Sequence, residues 1–199
     1  ATQAQLDTIY LNFKLFAPDA ALSGADRFLK EHPRHPQVAY VQYLKGLVHY
    51  QRSGADDPRW WGLSDSAQYD QVYARRAFDA FNQLVQRYPD SKFVTDSRER
   101  MIYLRERMAY HDLQITKYYQ RRQAYVAASR RAEDILRKFQ GTSIIPETLA
   151  ILETAYRKLE LTELSVDTRA LSIANVGSET PQAPSRPGKP DDLPPTAES

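Results

Sequence analysis

The sequence predicts an all-α protein built from antiparallel helix pairs, and three observations carry that prediction. Glycine is scarce, at 7 of 199 residues, whereas Ala, Leu, Arg, Glu and Gln are plentiful. Those side chains lose little rotamer freedom in a helix. Few segments alternate apolar and polar residues as half-buried strands do. Three segments also share one pattern: Phe28-Leu-Lys-Glu-His-Pro33, Leu84-Val-Gln-Arg-Tyr-Pro89 and Ile135-Leu-Arg-Lys-Phe-Gln140. Each has two apolar residues, two polar ones, an aromatic ring or His, then Pro or, in the third, Gln. A small residue lies twelve positions before each end, at Ala21, Ala77 and Ala128. This is how the second helix of a tetratricopeptide repeat ends. The small residue lets two helices approach, the ring fills the gap to the next repeat, and Pro cannot continue the helix.

The elements follow in order, as pairs over about 4–33, 37–89, 93–140 and 146–174. Residues 4–16 form a first helix, with a turn at Ala17-Pro18-Asp19. A second helix ends at Pro33. Residues 37–52 form the next helix, with Gly46 at a close contact. Residues 93–122 read as one long or kinked helix with Met101, Leu104, Met108 and Ile115 on one stripe. Pro146 suits the first turn of the helix over 146–158, and its partner covers roughly 161–174. The markers are 56 and 51 residues apart, against about 34 for a plain repeat. The first excess falls in residues 53–70, where Gly, Pro, Asp and Ser mark a loop that holds Trp60 and Trp61. From about residue 175 the sequence is rich in Pro. Six of the twelve prolines lie beyond residue 180. Too little apolar surface is available there to offset the entropy of ordering, so a disordered tail is expected over 175–199.

Composition excludes several function classes. With no cysteine, disulfides, thiolate metal sites and thiol nucleophiles are out. No apolar run approaches the roughly 20 residues that span a bilayer. No signal peptide is visible, and the opening at Ala1-Thr2-Gln3 reads as that of a fragment or processed product. The four histidines are His32, His35, His49 and His111. His32 and His35 lie close together, but His32 occupies the ring position of its repeat and no third ligand follows at a recognisable spacing, so no metal is expected. No glycine-rich phosphate loop exists, and no cofactor is expected. The net charge of +2 is unevenly spread: residues 92–140 carry twelve basic and six acidic groups. Interspersed acids and the lack of an aromatic stacking sheet argue against nucleic acid.

Within that basic segment, Arg121, Arg122, Arg130, Arg131, Arg137 and Lys138 cluster around the third helical pair. Such a cluster is either a docking face for an acidic surface or a solvated helix face paired locally with Glu133 and Asp134. Arg suits docking because its planar fork holds a carboxylate bidentately. Trp60 and Trp61 either anchor a partner or tuck their loop onto the array. Tyr10, Phe13, Tyr40, Tyr43 and Tyr50 lie on first helices, which line the concave side of such arrays; core packing is the commoner role at this spacing, with a minority open to peptide.

The order of these motifs resembles one family over roughly residues 4–174. Leu6-Asp-Thr-Ile-Tyr10, Asp26-Arg-Phe-Leu-Lys-Glu-His-Pro-Arg-His-Pro36 and Tyr40-Val-Gln-Tyr-Leu-Lys-Gly46 are similar to the BamD family of the outer-membrane β-barrel assembly machinery. So are Ala74–Ser91 and, most specifically, Tyr118-Tyr119 with Arg122, Ala124-Tyr125-Val126-Ala127 and Arg131. The resemblance implies an array of helix pairs and a non-enzymatic scaffold. It implies lipidation on an N-terminal cysteine and a location at the periplasmic face of the Gram-negative outer membrane. That cysteine and the family's first repeat are absent from this sequence. Implied partners are the POTRA domains of BamA, the lipoproteins BamC and BamE, and segments of unfolded outer-membrane proteins. The resemblance favours docking for the basic face, with Arg131 as the leading contact beside Arg121, Arg122, Tyr118 and Tyr125. Trp60, Trp61, Tyr10 and Tyr43 complete the expected partner-facing set. The competing reading is a generic tetratricopeptide adaptor or co-chaperone that clamps a peptide carboxylate through first-helix bases, for which the first two pairs offer few residues beyond Lys14 and Lys45. An enzyme is the poorest fit, because no catalytic constellation is present.

Overall fold

The computed structural model describes residues 2–55, 67–176 and 182–188, and every regular element among them is a helix. In order these are α1 (Thr2–Lys14), α2 (Pro18–Glu31), α3 (Val38–Arg52), α4 (Ala67–Arg87), α5 (Val94–Arg121), α6 (Tyr125–Lys138), α7 (Ile145–Lys158) and α8 (Thr162–Val176). Sequential neighbours pack together: α1 on α2, α2 on α3, α3 on α4, α6 on α7, and α7 on α8. This is the tetratricopeptide-like arrangement. Trp60 and Trp61 lie outside the described residues.

Two kinds of turn join the helices, and each repeats. Between pairs, a ladder of three backbone hydrogen bonds recurs at the same spacing. His32 N–H donates to Phe28 O, His35 N–H to His32 O and Val38 N–H to His35 O. The same ladder runs through Tyr88, Ser91 and Val94, and again through Phe139, Thr142 and Ile145. Pro33, Pro89 and Gln140 therefore each stand directly after the residue that closes the second helix. Within pairs, α1, α5 and α7 end in a residue with left-handed backbone: Phe16 (φ 55°), Gln123 (φ 58°) and Glu160 (φ 61°). In each, the next N–H reaches back five residues, as from Ala17 to Asn12 O, Ala124 to Tyr119 O and Leu161 to Tyr156 O. These bonds satisfy the orphan carbonyls of the helix end. The first turn thus lies at 15–17, not at 17–19. Pro18 already occupies the first turn of α2, where its missing N–H leaves nothing unsatisfied.

The described chain forms two compact units. The first holds α1–α4, α5 as far as Leu104, and residues 186–188. Its centre is α3, which packs against α1, α2 and α4 and buries residues all round its circumference. Gly46 explains how α4 comes so close: a Cβ there would lie 2.4 Å from a ring carbon of Phe81. Tyr43 stacks on Phe93 at 4.7 Å between centroids, and Tyr40 meets the same ring at 5.7 Å. The Gln42 amide donates to Ala80 O at 3.2 Å.

The second unit runs from Arg105 to Ser185. Here α5 grips the turn between α6 and α7. Arg105 Nη2 donates to Gln140 O at 2.8 Å. The buried Glu106 carboxylate accepts from Ser143 N–H at 3.0 Å and from the Ser143 hydroxyl. Ala132, Leu152 and Tyr156, with Leu136 against them, form the apolar seam between α6 and α7. That seam fixes which face of α6 is inside.

Candidate functional site

The candidate site lies in the second unit, where α5 turns into α6. The sequence sets its local geometry. Ala128, Ala132 and Ile135 recur at the i, i+4, i+7 spacing of one helix face and are all buried at 1% exposure or less; this apolar stripe is the inward side. The same periodicity leaves Val126, Arg130, Arg131, Arg137 and Lys138 outside, and all five are exposed. The left-handed Gln123 reverses the chain in three residues, which brings the last turn of α5 beside the first turn of α6.

The result is an open cavity of about 580 Å³, lined among others by Tyr119, Tyr125, Val126, Arg130, Arg131 and Asp134. On the adjoining turn of α5, Tyr118 packs edge-on to Tyr119 with centroids 5.6 Å apart. The Arg122 guanidinium lies 5.4 Å above the Tyr118 ring, a cation–π contact that keeps the charge at the surface. Tyr118 and Val126 are respectively 46% and 52% exposed. The face thus combines apolar rings with guanidinium forks, the residue types enriched where proteins bind one another.

Electrostatics decides between a solvated face and a charged one. Glu133 is hydrogen-bonded by the Tyr156 hydroxyl at 2.8 Å. Burial, then the bond to Glu133, pushes the Tyr156 hydroxyl up to about 12, so it stays a donor. Asp134 pairs with Arg137 on the next turn. Glu133 is thus held by Tyr156, and Asp134, which lines the cavity beside Arg130 and Arg131, is paired with Arg137. Among the described residues, none forms an ion pair with Arg121, Arg130 or Arg131. Lys117 is paired with Glu147 at 2.6 Å and Arg105 with a backbone carbonyl, so the free positive charge concentrates at the α5–α6 turn.

The structure therefore brings together Tyr118, Arg121, Arg122, Tyr125 and Arg131 from the expected set. Tyr10 and Tyr43 belong to the first unit. Tyr10 is half-buried on α1, with the Lys14 ammonium 5.5 Å from its ring. Tyr43 is 4% exposed and its ring lies within the core of the first unit. The reason is that α3 packs against three other helices and Tyr43 points to the Phe81 and Phe93 rings among them. His32 and His35 both pack against Phe28, with centroids at 5.2 and 5.3 Å. Their role is ring packing at the repeat junction. Among the described residues no group of three potential ligands could hold a metal ion. Val126, part of the Ala124–Ala127 motif, joins the face without being in the expected partner-facing set. Its signal was available: one residue past Tyr125 and two before Ala128, it falls off the Ala128–Ala132–Ile135 stripe.

Comparison with known proteins points in one direction. The family model described as YfiO, outer membrane lipoprotein, matches residues 1–171. The outer membrane protein assembly factor BamD of Neisseria meningitidis serogroup B is 38% identical over 196 residues, covering 98% of this chain and 72% of that protein. Its counterpart in Neisseria gonorrhoeae is 37% identical with the same coverage. That of Haemophilus influenzae is 34% identical over 173 residues, covering 87% of this chain and 66% of the relative.

Proposed function

The chain belongs to the YfiO (BamD) outer-membrane lipoprotein family, and from that membership we propose that it is a non-catalytic scaffold subunit of the machinery that assembles outer-membrane β-barrel proteins. Its work is binding. Its place is the periplasmic face of the outer membrane, held there by a lipid as the family's description implies; among the described residues no helix is long and apolar enough to cross a membrane. The α5–α6 turn is the docking face for a POTRA domain of BamA, with Arg131, Arg130, Arg121 and Arg122 holding acidic groups and Tyr118, Tyr125 and Val126 supplying apolar contact. BamC, BamE and unfolded outer-membrane protein segments use other surfaces of the array.

One observation carries this reading: the acids closest in sequence to the arginines, Glu133 and Asp134, are already bonded elsewhere. Uncompensated guanidinium groups beside exposed rings favour a carboxylate-bearing partner, since a desolvated Arg–carboxylate fork is worth far more than a solvated one. The adaptor reading finds less support. Lys45 is paired with Asp26 at 2.6 Å, so it is not placed to clamp a peptide carboxylate.

The test is affinity. Arg131→Glu should weaken binding to purified BamA POTRA domains at least tenfold, while the circular dichroism of the variant stays that of the parent. Unchanged affinity would remove the docking assignment.

A further inference from the structure

The first unit holds a buried arginine, Arg100, one edge of whose guanidinium is not used by the helices around it. The Arg100 side chain is fully buried, at 0% exposure. Its Nε and Nη2 donate to the two carboxylate oxygens of Asp96 at 2.6 and 2.9 Å. The Tyr43 hydroxyl donates to the same carboxylate at 2.6 Å, and the Tyr50 ring lies 4.9 Å from the guanidinium carbon. This cage orients the guanidinium and leaves one edge for a further acceptor. Nη2 gives its remaining bond to the backbone carbonyl of Gly188 at 3.0 Å, and Nη1 has no partner among the described residues.

Gly188 is 88 residues away in sequence, within the Pro-rich tail. Residues 182–188 form no regular element, yet Pro187 is buried while Ser185, Arg186 and Gly188 on either side are exposed. The buried Pro187 ring and the bonded Gly188 carbonyl hold the segment at two adjacent residues, the ring-plus-backbone pairing by which proline-rich peptides are recognised. The sequence adds an independent sign. Prolines stand at 181, 184, 187 and 190, a period of three. Polyproline II has three residues per turn, so residues at this spacing recur on one side of a segment in that conformation. Such a segment is already stiff and loses little entropy on docking.

We propose that the Arg100–Asp96–Tyr43–Tyr50 cage is a binding site for an extended proline-rich peptide, and that its occupant is this chain's own tail at Pro187–Gly188. The tail acts as a tethered ligand. It closes the site to a similar segment from another polypeptide until it is released.

The absence of cysteine makes the test direct on the full chain. Ser185 is exposed, and Ser185→Cys gives one attachment point for a nitroxide, three residues from Gly188 and so within about 11 Å of it. In an isotope-labelled sample the backbone amides of Tyr43, Asp96 and Arg100 should broaden. Adding Pro187→Asp should abolish the broadening without unfolding the chain. Gly188→Ala should retain it, because a Cβ there meets nothing within 4 Å. Arg100→Gln, which leaves Asp96 partly uncompensated, serves only as a supporting variant. A synthetic peptide of residues 181–190 should bind the Pro187→Asp chain and be excluded from the parent by at least tenfold. No broadening in the parent, or equal broadening with Pro187→Asp, would overturn the proposal. Broadening of a labelled chain by an unlabelled, nitroxide-bearing copy would also overturn it, since the tail would then dock between molecules.

Discussion

The hydroxyl of Tyr156 on α7 donates to the Glu133 carboxylate on α6 at 2.8 Å. This bond joins two helices of the second unit and holds the Glu133 carboxylate toward α7. Glu133 lies three residues after Arg130 on the same helix, a spacing at which the two side chains are neighbours.

Tyr156→Phe separates these two roles. Removing a part-buried hydrogen bond to a charged group should lower unfolding stability by about 1 kcal/mol. It should also weaken POTRA-domain binding several-fold, because Glu133 becomes available to screen the basic face. Urea denaturation and calorimetric titration of the same sample report both effects. A variant with parent stability and parent affinity would show that the bond does neither.

Gly46→Ala tests the close approach of α3 and α4. The added carbon would overlap the Phe81 ring, lying 2.4, 2.6 and 2.9 Å from three of its carbons. Phe81 is fully buried, so the ring has no open space to take. Overpacking of this kind should cost about 1–3 kcal/mol, readable as a lower denaturant midpoint. Combining it with Phe81→Leu should recover part of the loss, since the smaller side chain vacates the contested volume. A Gly46→Ala chain as stable as the parent would place the helices further apart than described.

Acid sensitivity should trace to His49. It is 9% exposed, and burial, then the charges of Arg76, Lys45 and Arg52, lower its pKa from 6.5 to about 4 against the opposing pull of Asp26. The unfolded chain therefore binds more protons than the folded one between those two values. Stability from this group is complete above about pH 6.5 and is lost as pH falls toward 4. The loss should approach 2 kcal/mol between pH 7 and pH 5. Urea midpoints of the parent and of His49→Gln at both pH values check this; the variant should show the shallower dependence.

Much of the array was legible before any coordinates. Ala21, Ala77 and Ala128 mark the second helices, and each is buried at 1% exposure or less. Pro33 and Pro89 mark two of their ends, because beyond a helix's first turn a residue without an N–H interrupts the ladder, and Gln140 stands at the same place in the third. Gly46 announced a close contact for the same elementary reason, a missing Cβ. The turns within pairs were less legible. Phe16, Gln123 and Glu160 adopt left-handed backbone without being Gly or Asn, so composition gives no sign of them. Tyr43 shows where a helical stripe misleads. Its spacing is the same whether a helix lies at the surface or, like α3, packs against three others. The basic face was readable as a charge excess, but its freedom depended on a partner for Glu133 that lies 23 residues away on another helix. No local pattern encodes that bond. The tail looked featureless by hydrophobicity, whereas its contact rests on one proline ring and one backbone carbonyl.

The central claim, that the α5–α6 turn is a docking face, is tested most directly by site-specific photo-crosslinking in living cells. A benzophenone side chain at Val126, which is 52% exposed, would sit within the cavity, and one at Ile102, 59% exposed in the first unit, serves as reference. Position 126 should crosslink to BamA, and Arg131→Glu should reduce that product at least fivefold while the product from position 102 stays unchanged. A BamA adduct from position 102 with none from position 126 would contradict the assignment.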